Sequence, residues 1–151
     1  MNGADRQQVH EQLESELTLL GRRIRRLSTT LARQVDDRLE AAAYGLLSAL
    51  NDAGDVRAGD LAERFGLDKS TVSRQIAQME SMGLVQRVPD PMDGRARLIH
   101  TTDEGRERVR QLREARGRWL RAALEDWPAD DVDQMVDLVG RLNVALEVRE
   151  P

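Results

Sequence analysis

The stretch Asp60 to Gly105, DLAERFGLDKSTVSRQIAQMESMGLVQRVPDPMDGRARLIHTTDEG, decides the fold. At its centre Val72, Ile76, Met79 and Met82 recur at spacings of four, three and three, which makes one apolar stripe on a helix. Asp68 stands where an N-cap belongs, and Leu67 before it is placed to staple onto Val72. Gly83 follows at the position of a left-handed C-cap residue. At about 100° per residue, Ser70, Arg74, Ala77 and Ser81 lie opposite the stripe, with Ser73 and Gln78 flanking. Small hydroxyl residues at a helix start let the backbone approach a phosphate. Arg74 and Gln75 or Gln78 have the reach and the donors to read base edges. Taken alone, this is an ordinary amphipathic helix with a solvated polar face; its neighbours shift that reading.

Before it, Leu61, Ala62 and Phe65 share one face of a short helix ended by Gly66. A Gly and one apolar residue then join the two helices, the tight crossing that a helix-turn-helix needs. After it, Leu84 to Val88 predicts a strand. Pro89 to Gly94 carries turn chemistry, and Arg95 to Thr101 is the returning strand, with Leu98 and Ile99 at its apolar centre. The hairpin holds Arg87, Arg95 and Arg97. A slender hairpin tipped with Arg suits a minor groove, whose negative potential favours a guanidinium. The expected fold class is mainly α: a winged helix-turn-helix with a small antiparallel β wing, flanked by N- and C-terminal dimerisation helices.

Asp60-Leu61-Ala62, Ser70-Thr71-Val72-Ser73-Arg74, Met79-Glu80-x-x-Gly83-Leu84-Val85-x-Arg87, Asp90-Pro91-x-Asp93-x-Arg95-Ala96 and Thr101-Thr102-x-x-Gly105 follow one another in order. Together they resemble the multiple-antibiotic-resistance regulator (MarR) family of bacterial transcription factors, and the all-helical flanks fit the rest in order and length. The resemblance implies a cytoplasmic, nucleoid-associated homodimer that binds a pseudo-palindromic operator in double-stranded DNA. Such a protein is usually a repressor, often released by a small-molecule effector, and it is neither an enzyme nor dependent on a cofactor. It also implies that Arg95 reaches the minor groove and that Asp93, two residues earlier, braces it. The expected DNA-contacting set is Lys69, Ser70, Thr71, Ser73, Arg74, Gln75, Gln78, Arg87, Asp93, Arg95 and Arg97. One departure is His100-Thr101-Thr102, where the family commonly has an apolar residue before Thr.

Composition bounds the rest. The chain has 151 residues, enough for one domain with helical extensions, but only 3% are aromatic, so the core must use Leu, Val, Ala, Ile and Met. The net charge of -4 does not describe a globally basic protein. Its distribution is uneven. Arg64 to Arg121 holds thirteen basic and eight acidic residues, Ala122 to Pro151 two and eight, and Met1 to Glu63 eight and eleven. A basic middle between acidic flanks puts the positive surface where the hairpin sits. Twenty-two of the 23 basic residues are Arg, with Lys69 the exception, a bias that fits GC-rich coding. The absence of cysteine excludes disulfides, thiolate metal sites and cysteine-based redox sensing. No apolar run approaches the ~20 residues of a membrane span, and the polar N-terminus is not a signal peptide, so a soluble intracellular chain is expected.

Along the chain, Met1 to Gln8 reads as a frayed tail and a long helix begins at Val9. Leu13, Leu17, Leu20, Ile24, Leu27 and Leu31 alternate spacings of four and three, the seam of helix-on-helix packing. Near the C-terminus Val132, Met135, Val136, Val139, Leu142 and Leu146 form a second stripe behind Asp130, Asp131 and Asp133, which suit a helix start. Two apolar helical ends flanking a winged domain favour association between two chains over packing within one. The expected interface is Leu13, Leu17, Val132, Val136, Val139 and Leu142. Arg22, Arg23, Arg25 and Arg26 straddle Ile24 as a solvated flank or, alternatively, an anion-binding face. Asp36-Asp37 marks a bend. Leu39 to Ala53 is the next helix, and Val56 is a candidate short strand in the wing sheet. Thr101 or Thr102 caps a helix running from Asp103 to Asp126, stopped by Trp127-Pro128. At about two dozen residues it spans roughly 35 Å, enough to link two lobes. The expected division is a helical dimerisation region at 1–35 and 127–151, a winged domain at 36–105 and a linking helix at 103–126.

Other chemistry finds little support. His10 and His100 are nearly a hundred residues apart and have no cysteine beside them, so no metal site is expected. There is no Gly-rich phosphate loop, metal-binding helix motif or serine elbow. A ligand pocket is expected by resemblance alone, between the winged domain and the dimer helices. Its candidate linings are Leu20, Ile24, Tyr44, Leu46, Leu47, Leu112 and Trp119, each of which also reads as ordinary core. The competing function is a winged-helix module that binds another protein and uses its arginines for solubility.

Overall fold

The structure is a computed structural model that describes residues 3–64 and 66–147. Met1 and Asn2 of the expected tail, Phe65 of the support helix and residues 148–151 of the C-terminal region lie outside the described residues. The elements run α1 (Gly3–Val35), α2 (Ala41–Ala53), β1 (Val56–Arg57), α3 (Ala58–Arg64), α4 (Lys69–Ser81), β2 (Val85–Asp90), β3 (Asp93–Thr101), α5 (Asp103–Ala123) and α6 (Ala129–Glu147). The chain divides into two units, Met1–Ala115 and Arg116–Pro151.

In the first unit the stripe of α4 anchors the core. Val72, Ile76 and Met79 are buried with Leu61 and Ala62 of α3, Ala43, Tyr44, Leu46, Leu47 and Leu50 of α2, Ile99 of β3, and Val109 and Leu112 of α5. Each large side chain buried this way contributes on the order of 1.5–3 kcal/mol. Leu67, the candidate staple, stays exposed. The end of α4 is fixed by backbone geometry. Gly83 has φ +73°, its N–H donates to the Glu80 carbonyl at 3.0 Å, and the Leu84 N–H donates to the Met79 carbonyl at 2.9 Å. That pair of bonds is a Schellman cap, and the buried side chains of Met79 and Leu84 seal it.

The sheet has the order β1-β3-β2, all antiparallel, with Val56 opposite Ile99 and Arg57 opposite Leu98. The hairpin is tighter than the sequence suggests. Pro89 to Gly94 was expected to be all turn, yet β2 continues to Asp90 and β3 starts at Asp93, leaving Pro91 and Met92 as the turn. β2 pairs with β3 and lies at the sheet edge, where a residue without an N–H is tolerated, and the register shift falls between Pro89 and Asp90. Helix boundaries also move. α1 already starts at Gly3, and α5 ends at Ala123 rather than Asp126.

Thr102, not Thr101, caps α5. Its hydroxyl accepts from the Gly105 N–H at 3.1 Å and donates to the Gly83 carbonyl at 2.6 Å. With Thr102 as the cap, the third helical residue is Gly105, so Glu104 closes no capping box. Gly105 is required by space. A Cβ there would meet the Leu84 carbonyl oxygen at 2.1 Å.

The long stripe of α1 has two fates. Leu31 and Ala32 are in the core and Leu27 packs against it, whereas Leu13, Leu17, Leu20 and Ile24 are exposed. In the second unit α6 has no buried residue, and Val136 is 66% exposed. Among the described residues, no helix is long and apolar enough to cross a membrane.

Candidate nucleic-acid interface

The surface opposite the α4 stripe is built from its cap outward. The Asp68 carboxylate accepts from the Thr71 N–H at 2.7 Å and from the Ser70 and Thr71 hydroxyls at 2.5 Å each. These donors, Ser70 first, hold the carboxyl far below the usual carboxylate range. Both hydroxyls are therefore turned inward onto the cap. Ser73 and Arg74 are exposed one turn further on, and Lys69 is exposed at the start.

The two glutamines sit differently from the exposed set. Gln75 is only 8% exposed, and its Oε1 is buried without a hydrogen-bond partner among the described residues. It follows the buried Val72 by one turn, so its side chain belongs to the inner face. Gln78 is half-buried and its Nε2 donates to the Arg38 carbonyl at 2.8 Å, tying α4 to the segment between α1 and α2. Asp36 in that segment is bonded by Arg38 through one edge of its guanidinium, Nε at 3.0 Å and Nη2 at 2.8 Å, and that guanidinium holds its carboxyl down to about 2.

On the wing, Arg87 is paired with Glu80 of α4 at 3.2 Å. Asp93 accepts the backbone N–H of Arg95 at 3.1 Å, and its other oxygen lies 3.7 Å from the Arg57 guanidinium. The expected brace is thus a backbone one, and the Arg95 side chain is left exposed beside it. Lys69, Arg74, Arg95 and Arg97 make no side-chain hydrogen bond or ion pair among the described residues. What the sequence did not reveal is Arg57, whose Nε and Nη2 bond the Asp90 carboxylate at 2.9 and 2.6 Å from 33 residues away. No local spacing encodes that contact, which depends on the sheet order.

The expected pocket residues fall into two groups. Tyr44, Leu47 and Leu112 are buried in the first unit's core, as is Leu46, while Leu20, Ile24 and Trp119 are about half exposed. Burial pushes the Tyr44 phenol up, and its hydroxyl has no hydrogen-bond partner among the described residues. His100 pairs with Asp55 at 2.6 Å, and no cluster of potential metal ligands occurs among the described residues.

A recognition-type helix with an exposed cation, set beside an arginine-bearing hairpin in one packed unit, defines a winged helix-turn-helix of the DNA-binding class. A family model described as MarR family matches residues 39–96. YxaD of Bacillus subtilis (strain 168), an uncharacterized HTH-type transcriptional regulator, is 35% identical over 135 residues, covering 89% of this chain and 93% of its own length. The crystal structure of RV1404 from Mycobacterium tuberculosis has a TM-score of 0.81 at 22% identity, over 100% of this chain and 97% of that one. A MarR family protein from Bacillus stearothermophilus gives 0.76 at 24% identity, over 91% and 97%. The two structures establish the fold, and the family model together with the YxaD match establishes the family. The chain belongs to the MarR family of transcriptional regulators, which are not enzymes.

Proposed function

We propose that this regulator is a homodimeric repressor that binds a pseudo-palindromic operator and leaves it when a small molecule binds. The observation that carries the DNA reading is the set of exposed cations Lys69, Arg74, Arg95 and Arg97 on α4 and β3, unpartnered among the described residues. Arg74 and Ser73 would face the major groove, Arg95 the minor groove, and Lys69 and Arg97 the phosphates. Ser70 and Thr71 would contribute the first turn of the helix that Asp68 caps rather than their hydroxyls. Gln75 and Gln78 would act from behind the reading surface.

The dimer reading is supported by apolar side chains left in water. Leu13 and Leu17 of α1 and Val136 and Val139 of α6 are exposed, each on an apolar stripe of the kind that marks an association surface. Residues 1–35 and 127–151 would form the dimer lobe, 36–105 the winged domain and 103–126 the link. Two copies would place two recognition helices in successive major grooves ~34 Å apart. The effector reading is supported by the orphaned Tyr44 hydroxyl, a buried group whose missing hydrogen bond a ligand would supply. The site of action would be the bacterial cytoplasm, on the nucleoid.

The test is a gel-shift titration against DNA flanking the protein's own gene, with excess nonspecific competitor, beside light scattering of wild type and Leu17→Glu. The expected result is a competitor-resistant complex from a wild-type dimer, and a monomeric Leu17→Glu protein that binds far more weakly. A folded wild-type dimer that also fails to bind any duplex from a random-sequence selection would overturn the DNA reading in favour of a protein-binding module. A monomeric wild type would overturn the dimer.

A further inference from the structure

The outer part of the wing has little beneath it. β1 pairs with β3 at Leu98 and Ile99, so the hairpin from Pro89 to Arg97 extends beyond the third strand. Met92 at its tip is 91% exposed, and Arg95 and Arg97 are exposed as well. A two-stranded ribbon is marginal by itself. Its orientation needs a tether to the body of the protein.

Arg57 supplies that tether. It ends β1, and its guanidinium reaches past the middle strand to Asp90, the last residue of β2, with two bonds to one carboxylate oxygen. The other oxygen of Asp90 accepts the Met92 N–H at 2.8 Å, which fixes the turn. The same guanidinium lies 3.7 Å from Asp93, whose second oxygen accepts the Arg95 N–H. The Asp90 side chain is 7% exposed, so its partner contact is largely sheltered from water. One side chain from β1 therefore reaches, through two carboxylates, the backbone of both the turn and the start of the returning strand.

We propose that Arg57 is a positioning residue for DNA binding: it holds the wing at the angle from which Arg95 and Arg97 meet the groove, without touching DNA itself. The proposal rests on the DNA reading above. Its test measures operator affinity for Arg57→Gln and Asp90→Asn, each in the wild-type wing and in an Arg95→Ala/Arg97→Ala background. Amide exchange at Met92 and Arg95 is followed in the free proteins.

Arg57→Gln is expected to weaken binding about tenfold with the wing arginines present, and less than about twofold without them, the non-additivity of residues that act as a unit. Asp90→Asn is the sharper variant. It deletes a negative charge near DNA, which by charge alone tightens binding; loss of the tether weakens it instead. Both variants should speed exchange at Met92 and Arg95 while leaving exchange in α4 unchanged. Equal losses in both backgrounds, tighter binding by Asp90→Asn, or unchanged exchange at the tip would each overturn the proposal. A wild type with a protected wing tip that binds no duplex would overturn the DNA reading and leave the tether standing.

Discussion

Two arginine-rich regions of the same unit end in opposite electrostatic states. On the first half of α5, Arg106 pairs with Asp103, Arg108 with Glu104, Arg110 with Glu107 and Glu114, and Arg113 with Asp52 of α2. On α4 and β3, Lys69, Arg74, Arg95 and Arg97 have no such partner among the described residues. Sequence charge counts both regions as basic. The field available to a polyanion is that of the second, because a cation already facing a carboxylate at 2.5–2.9 Å gains little from releasing counterions around a phosphate. Unpaired cations beside acidic flanks also explain how a chain of net charge -4 can present a positive surface.

The largest expected effect comes from emptying the unpaired set. Arg74→Ala and Arg95→Ala should each weaken specific binding about 10- to 100-fold, the size of one lost groove contact, and Arg97→Ala should lower the salt slope by roughly one. Thermal stability should stay within about 0.5 kcal/mol of wild type, since exposed side chains without partners are removed. Anisotropy titrations across a salt series, with melting curves alongside, read all three. An Arg95→Ala protein that folds and binds as wild type would remove the wing from the interface.

A smaller effect separates the two states by pH. Arg38 holds the Asp36 carboxyl down to about 2, below the ~3.9 of an unfolded aspartate. Its contribution to stability is therefore complete above pH ~4 and is lost as pH falls from about 4 towards 2. Asp36→Asn should flatten that limb of the stability curve, as read by urea melts at pH 2.5, 4 and 6. The unpaired arginines have no carboxylate partner to titrate, so Arg95→Ala should leave the limb as it is. An unchanged acid limb in Asp36→Asn would show that the Arg38 contact carries no folding energy.

Which elements were legible follows from the range of the interactions that set them. The stripe Val72, Ile76, Met79 and the Gly83 cap are local, and both appear as read. So does the short strand at Val56. The stripe of α1 was visible as a period, but a period names a face and not its partner: Leu31 is in the core and Leu13 in water on the same repeat. Gln75 looked like a base reader because it is polar. It lies beside Ile76 on the inner flank, where geometry outweighs polarity. The Asp68 cap is legible in the sequence, while its capture of the Ser70 and Thr71 hydroxyls is not, because rotamers are not written in spacing. Arg57 and Asp90 meet across a sheet whose strand order is a tertiary fact.

The smallest effect is the strictest check on the contrast between paired and unpaired arginines. Glu107→Gln with Glu114→Gln would release Arg110 from both of its carboxylates, and Gln111 would keep an oxygen acceptor at position 107. The double variant is two units more positive than wild type, so a protein whose DNA affinity followed net charge would bind markedly tighter. If location decides instead, the new charge lies beyond close contact with the duplex and is screened over a Debye length of about 8–10 Å. Affinity should then rise less than about threefold with an unchanged salt slope, since no additional phosphate is neutralised. A tenfold gain accompanied by a slope steeper by about one would place α5 against the phosphates. The glutamates would then be a restraint on DNA binding rather than helix-surface partners, and the division of this unit into a structural and a reading set of arginines would fail.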